Sequence, residues 1–221
     1  MKNSQTKSKE RVRDHGEVFT AEREVKAMCD LVKDETERID SRFLEPACGD
    51  GNFLAEIITR KMQVVKRKYK KSPIDYEKNA VLAISSIYGV DILQDNVDAC
   101  RERMFSLWDK EYSSVCKKDA NDQTREAVKF ILSKNIVCGN ALTLKQVDEN
   151  GNETDEPIVF SEWAFITGSQ IQRQDYTFAH LLAINDEENK AEQQSMFDEQ
   201  QDEGKFLRRY VTHYRRVQEN E

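Results

Sequence analysis

Three groups of residues in this chain have the types and spacing needed to hold a ligand. The first is Glu45-Pro46-Ala47-Cys48-Gly49-Asp50-Gly51, where two glycines follow a short apolar run at Phe43-Leu44. Glycine belongs where backbone must bend tightly or where a ligand comes close to it. If a helix starts just beyond, its first N–H groups are unpaired and carry partial positive charge. A strand-to-helix turn that holds nothing fits the same residues. The second is Asp91, at the end of an apolar run. A carboxylate there accepts hydrogen bonds from the two hydroxyls of a ribose, or else caps the next helix. The third is Asn140, whose amide matches the edge of an adenine ring and equally closes a turn or caps a helix.

These groups need elements to carry them, and the apolar spacing supplies a set. Glu22 to Val32 places Val25, Met28, Cys29 and Val32 on one helical face. Arg42 to Glu45 reads as a buried strand and Asn52 to Lys70 as a helix, with Phe53, Leu54, Ile57, Ile58, Met62 and Val65 at helical spacing. Lysines suit the negative end of that helix, and Lys71-Ser72-Pro73 stops it. Tyr76 to Ser85 is a helix, Ser86 to Ile92 a strand, Gln94 to Trp108 a helix, Arg125 to Leu132 a helix and Asn135 to Cys138 a strand. Asp148 to Glu156 forms a polar turn around Asn150-Gly151, and Pro157 to Thr167 is a fourth strand. Beyond Gly168 the text is polar apart from Tyr176 to Ile184, and it reads as a helical, weakly anchored tail.

Strand and helix alternate with connections of crossover length, so the fold class is α/β on a mostly parallel sheet. In such a sheet ligands sit outside the carboxyl ends of the strands, where all three groups fall. The expected organisation is a flexible leader over 1–14, a ligand-binding domain over 15–168 with a helical lead-in, and a polar tail over 169–221.

Composition narrows the function. At 38% hydrophobic and 34% charged residues, part of the chain is expected to be solvated. No apolar run reaches the length of a membrane span and the first residues are basic and polar, so a cytoplasmic protein without membrane contact is expected. Five cysteines (Cys29, Cys48, Cys100, Cys116, Cys138) never form a Cys-x-x-Cys pair, which argues against a disulfide framework or a metal site. A net charge of −7 is wrong for a protein that coats nucleic acid. The basic strip Arg60 to Lys71 nevertheless keeps DNA as a candidate partner, beside its plainer reading as a solvated helix end. Asp186 to Glu203 is an acidic linker or tail, and His15, His180 and His213 are isolated.

FLEPACGDGNFL, Phe43 to Leu54, resembles the first motif of the amino-group DNA methyltransferases, particularly the modification subunits of restriction systems. Gly16-Glu17-Val18-Phe19-Thr20 resembles the motif that precedes it there, Tyr88-Gly89-Val90-Asp91-Ile92 the second, and Cys138-Gly139-Asn140-Ala141-Leu142 the third. The four stand in the family's order over Gly16 to Leu142. The resemblance implies a Rossmann-like class I methyltransferase core that binds S-adenosylmethionine. By it, Phe19 and Thr20 belong to the motif that covers the methionine end, Glu45 and Gly49 face the methionine moiety, and Ala47, Cys48, Gly51 and Ala141 are among the cofactor-binding residues. Asp91 takes the ribose, and Ile92 and Asn140 the adenine. Ala21 stands where the family usually has Pro, and Asn140 where it usually has Asp. A nicotinamide cofactor fits worse, because the acid lies about 40 positions past the loop rather than about 20.

The family's catalytic motif is an Asp, Asn or Ser followed by Pro-Pro and an aromatic, at the end of the fourth strand. Adenine's amine is a poor nucleophile; oxygens that accept its hydrogens sharpen its lone pair, and the aromatic stacks on the flipped base. This chain has only Pro46, Pro73 and Pro157, so no catalytic residue is assigned. With no further strand expected past Gly168, the sheet is truncated, and the tail or a second subunit or homodimer partner must cover its edge. The favoured reading is an S-adenosylmethionine-binding relative of adenine-specific DNA methyltransferases, silent alone or partner-dependent. One alternative is an active N6-adenine enzyme with a divergent loop at Glu162, Ser169 or Gln170, with Trp163 or Phe165 stacking. Another is an interaction protein whose pocket is vestigial.

Overall fold

A computed structural model describes residues 20–183 and 207–219. The leader 1–14, His15, Gly16 to Phe19 and the acidic run Asp186 to Glu203 lie outside the described residues.

The chain opens with helix α1 (Glu22–Leu31), which buries Val25 and Cys29, and a single turn α2 (Lys33–Thr36). Strand β1 (Phe43–Glu45) leads through the glycine loop into α3 (Asn52–Tyr69). Helix α4 (Pro73–Ser85) begins at the proline that halts α3, with its missing N–H at a position that needs none. After β2 (Ile87–Asp91) comes α5 (Gln94–Cys116), which runs past Trp108 because Tyr112 and Cys116 continue its buried stripe. The side chain of Asn121 caps α6 (Asp122–Asn135) by accepting from Thr124 N at 2.9 Å. Strand β3 (Ile136–Asn140) follows at once, then the hairpin β4 (Lys145–Val147) and β5 (Glu153–Pro157) around Gly151.

Strands β1, β2 and β3 lie side by side and parallel, with Glu45 opposite Gly89 and Asp91 opposite Cys138. The hairpin extends this sheet antiparallel beyond β3, giving five strands in the order β1-β2-β3-β4-β5. Ile87 and Ile136 pack with the apolar faces of α3 to α6 in the main core, and Phe43 lies against it. Side chains alternate along a strand. Tyr88 and Val90 therefore emerge on the opposite face, where Ile158, Phe160 and Phe178 cover them.

Two expectations are corrected here. Pro157 to Thr167 is not a fourth strand of the parallel sheet. Pro157 ends β5, and β6 (Val159–Phe165) belongs to a separate antiparallel sheet with β7 (Gln170–Thr177) and β8 (Arg208–His213). The break comes at Ile158, whose N–H bonds to Leu144 O at 2.8 Å and turns the chain out of the first sheet. Among the described residues after Gly168 the chain is not a weakly anchored helical tail: beside a short helical run at 178–183 it supplies β7, β8 and a 3-10 turn, Tyr214–Glu219, that buries Tyr214 and Val217 in the main core. The inward positions of β7 include Arg173 and Asp175, which are buried because they pair at 2.7 Å and share Ser161 Oγ.

The second sheet closes the end of the first where the parallel strands begin. Ser161 O accepts from Tyr88 OH at 3.1 Å, Trp163 Nε1 donates to Asn135 Oδ1 at 3.0 Å, and Glu162 pairs with Arg42. Two buried polar groups tie this end together. Lys61 Nζ donates to Ile39 O, Ser41 O and Ser86 Oγ. The Glu77 carboxylate on α4 accepts from Tyr112, Tyr214, Asn121 Nδ2 at 3.0 Å and Arg215 Nε at 2.7 Å, joining α4, α5 and the final turn.

Candidate functional site

At the opposite end of the parallel strands, β1 turns into the loop Pro46 to Gly51. Cys48 N donates to Val90 O at 2.8 Å and Gly51 N to Cys48 O at 2.9 Å, so the loop is fastened to β2 and folded on itself. Gly51 sits at φ +87° as the N-cap of α3, and a Cβ there would come within 2.7 Å of Cys100 Sγ. Gly49, at φ +52°, is different: a Cβ there would meet nothing within 4 Å. The backbone at Gly49 thus faces open space, and the strain of a left-handed conformation is what selects glycine. A hydrogen bond with the Cys100 thiol, and burial after it, hold Cys48 well above the usual thiol range, so it is a neutral packing group under the loop.

Asp91 reaches this loop across 42 positions of sequence. Its Oδ2 accepts from Gly49 N at 2.9 Å, while Oδ1 accepts from Leu93 N at 2.9 Å and Asn96 Nδ2 at 3.1 Å. A carboxylate offers about four acceptor positions, so about one stays free beside Gly49. Glu45, half-buried before the turn, has its pKa raised by burial against the opposing effect of the Ala47 N–H. Ala47 is exposed, and Ile92 is 43% exposed just past Asp91. Asn140 ends β3 at the same end of the sheet, yet its amide is engaged elsewhere. Oδ1 accepts from Leu142 N and Nδ2 donates to Glu153 Oε2, both at 3.0 Å, the turn-closing role that its residue type also suited. Ala141 packs, half-buried, against the Tyr88–Val90 cluster, and Thr20 is exposed. Phe19 lies outside the described residues. The structure therefore joins the glycine loop and Asp91 directly, and sets Asn140 on the neighbouring strand, bonded to the hairpin.

One group escaped the sequence reading. Arg103 on α5 binds Asp50, between the two glycines, at 3.1 Å and Asn52, the first residue of α3, at 2.6 Å. It clamps the loop from outside, and no local pattern joins residues 53 positions apart. The basic strip is also not a single charged face. Arg60 pairs with Asp30 and Glu56, Lys61 is buried, and Lys66 pairs with Glu111. The exposed cations Arg67, Lys68, Lys70 and Lys71 cluster at the far end of α3. That is about 25 Å from the glycine loop at 1.5 Å of rise per residue.

The glycine loop, Asp91 and Asn140 thus stand at the carboxyl ends of three consecutive parallel strands. The profile of the MmeI DNA-methyltransferase domain matches residues 16–214. The chain belongs to that family. The match spans both sheets, so β6 to β8 are part of the MmeI methyltransferase domain pattern and not an appendage. Comparison with curated proteins and with solved structures returns no match. Among the described residues no helix is long and apolar enough to cross a membrane, and no cluster of three or more His, Cys, Asp or Glu is placed to hold a metal ion. All five cysteines are free thiols, four of them buried.

Proposed function

We propose that this chain is the S-adenosylmethionine-binding part of an N6-adenine DNA methyltransferase of restriction–modification type, in a Rossmann-like sheet, and that it does not transfer the methyl group by itself. The observation that carries the reading is the contact between Asp91 Oδ2 and Gly49 N, which sets a carboxylate from one strand end against an open glycine backbone from the next. A ribose fits there: one hydroxyl takes the free acceptor position of Asp91, and the second takes the position now used by Gly49 N–H, which then turns to the ligand. Glu45 and Gly49 face the methionine moiety, with Ala47, Cys48 and Gly51 shaping the loop beneath it. Ile92 and Ala141 flank the adenine, and Asn140 reads its edge after giving up Glu153. Thr20 closes over the methionine end.

The chemistry left undone is activation of the target amine. Glu162 pairs with Arg42 at the starts of the strands, Ser169 O accepts from Tyr214 N, and Trp163 is buried against Asn135, so these residues support packing at the far end and not a divergent catalytic loop. Calorimetry with S-adenosylmethionine and S-adenosylhomocysteine on the purified chain tests the first half of the reading. Saturable binding that Asp91→Ala abolishes is the expected result, and no heat at millimolar ligand overturns it. Transfer of a labelled methyl group to unmethylated DNA tests the second half: turnover at enzyme-like rates would show that a complete active site is present.

A further inference from the structure

Asn140 and Glu153 meet where the hairpin returns beside the end of β3. Glu153 is the first residue of β5, and its Oε2 accepts from Asn140 Nδ2 at 3.0 Å and from Thr143 Oγ1. The amide cannot be turned over. Leu142 N–H donates to Oδ1 at 3.0 Å, so the NH2 end must face the carboxylate. Both side chains are accessible, Asn140 half-buried and Glu153 exposed. Their place is fixed relative to Asp91, which stands opposite Cys138 in the parallel register, two residues before Asn140. Opposite residues share a face of a sheet, and so do residues two apart, so Asn140 lies on the Asp91 face, about 7 Å further along β3. That offset suits a nucleoside whose ribose hydroxyls meet Asp91 and whose base edge meets the hairpin.

We propose that Glu153 determines specificity for the base of the cofactor: together with Asn140 it selects adenine and rejects a purine that carries a carbonyl oxygen at position 6. The inference rests on the S-adenosylmethionine reading above, and deepens it by naming what tells the base apart. Adenine presents its N6–H donors beside a ring nitrogen that accepts, N1 on one edge and N7 on the other. The pair at the hairpin is the complement, an acceptor beside a donor. When the base edge enters, Asn140 gives up Glu153 and donates from Nδ2 to the ring nitrogen, and the released carboxylate accepts from N6–H. One hydrogen bond is replaced by two, and the carboxylate bond is charge-assisted. Thr143 keeps its bond to Glu153, so the carboxylate is held in place throughout. Asn140 alone reads half of the pattern, because its oxygen is held by Leu142 N–H. Glu153 supplies the missing acceptor from 13 positions away. A 6-carbonyl purine sets oxygen against carboxylate with no proton between them, and a polar group left unpaired in this way is what discriminates most strongly between analogues.

Calorimetry on the full chain tests this by comparing S-adenosylhomocysteine with S-inosylhomocysteine, whose bases differ only in the group at position 6 and the proton on N1. The wild type is expected to bind the adenosine ligand at least about tenfold tighter. Glu153→Ala is expected to weaken that ligand at least about tenfold. Glu153→Gln carries an amide that can accept from N6–H or donate to O6. It is expected to hold the adenosine ligand within about threefold of the wild type while the preference between the two ligands falls below about threefold. Equal wild-type affinity for both ligands overturns the proposal, as does a preference that survives unchanged in both variants. An equal loss of both ligands in the variants also overturns it, since that is the signature of a hairpin merely held together by Glu153. In all three of these outcomes the wild-type isotherm still supports the cofactor reading. Absence of wild-type binding to both ligands overturns the two readings together.

Discussion

The chemistry proposed for the cofactor end depends on a few atoms, and their substitution has distinct consequences. Asp91→Ala leaves the Gly49, Leu93 and Asn96 donors without their acceptor. A loss of about 1–3 kcal/mol in urea unfolding is expected, with S-adenosylmethionine affinity falling at least about tenfold. Gly49→Ala meets no atom but must hold φ +52°, so it costs about 1–2 kcal/mol through backbone strain alone. Lys61 offers a separate measurement. Burial pushes its ammonium down to about 7, ahead of the weaker pulls of Asp40, Arg38 and Glu35. Between that value and the ordinary lysine range the unfolded chain binds more protons than the folded one, so the native state gains stability as pH rises from 7 toward 10. Thiols with raised pKa oppose this trend above about pH 8.5, so the quantity to read is the stability of the wild type minus that of Lys61→Met. That difference is expected to climb with pH over this window; a flat difference would show that Lys61 stays charged when folded. The residues of the glycine loop and Asp91 were legible in the sequence because each is punctuated locally, by glycine or by the end of an apolar run. Arg103 and Asn96 were not, since their partners are fixed only when α5 packs beside the loop.

Elements recorded themselves unevenly in the sequence. Helices α3 to α6 and strands β1 to β3 could be read because their apolar stripes repeat at the period of the element. Strand β7 could not, because Arg173 and Asp175 occupy inward positions that a sequence reading assigns to solvent. A buried ion pair disguises the alternation, and β8, with Arg208 and Arg209 at its start, is equally polar. The final 3-10 turn was invisible for another reason: its anchor, Glu77, lies 137 positions before Tyr214. Glu77→Ala removes the acceptor of two buried phenols and a guanidinium. It should cost about 3–5 kcal/mol, as loss of one partner of a buried pair does, and should expose Arg208 and Arg215 to trypsin. Resistance to trypsin equal to that of the wild type would mean that β8 alone anchors this end.

Seen whole, the molecule separates its two ends: the groups proposed for the cofactor where the parallel strands finish, and the second sheet, Lys61 and Glu77 where they start. The exposed cations of the basic strip fall at the start. Replacing Arg67, Lys68, Lys70 and Lys71 together with Gln is expected to leave S-adenosylmethionine affinity within about twofold, because about 25 Å of helix separates them from the loop. A larger change would mean that charge at the far end is felt by the ligand. The glycine loop, the three parallel strands and the family were open to sequence reading, while the second sheet was not, since its strands pair across a polar stretch. The Glu77 contacts also bear on how the chain comes into being. A phenol and a guanidinium from positions 214 and 215 are needed to satisfy a carboxylate made at position 77. On a ribosome adding about 5–20 residues per second, that carboxylate waits roughly 7–28 seconds. During that time α4 and α5 can form, but their shared interior cannot close dry. Until then Glu77 has only Tyr112 and Asn121 as partners, so this interior is expected to close after residues 214 and 215 are made.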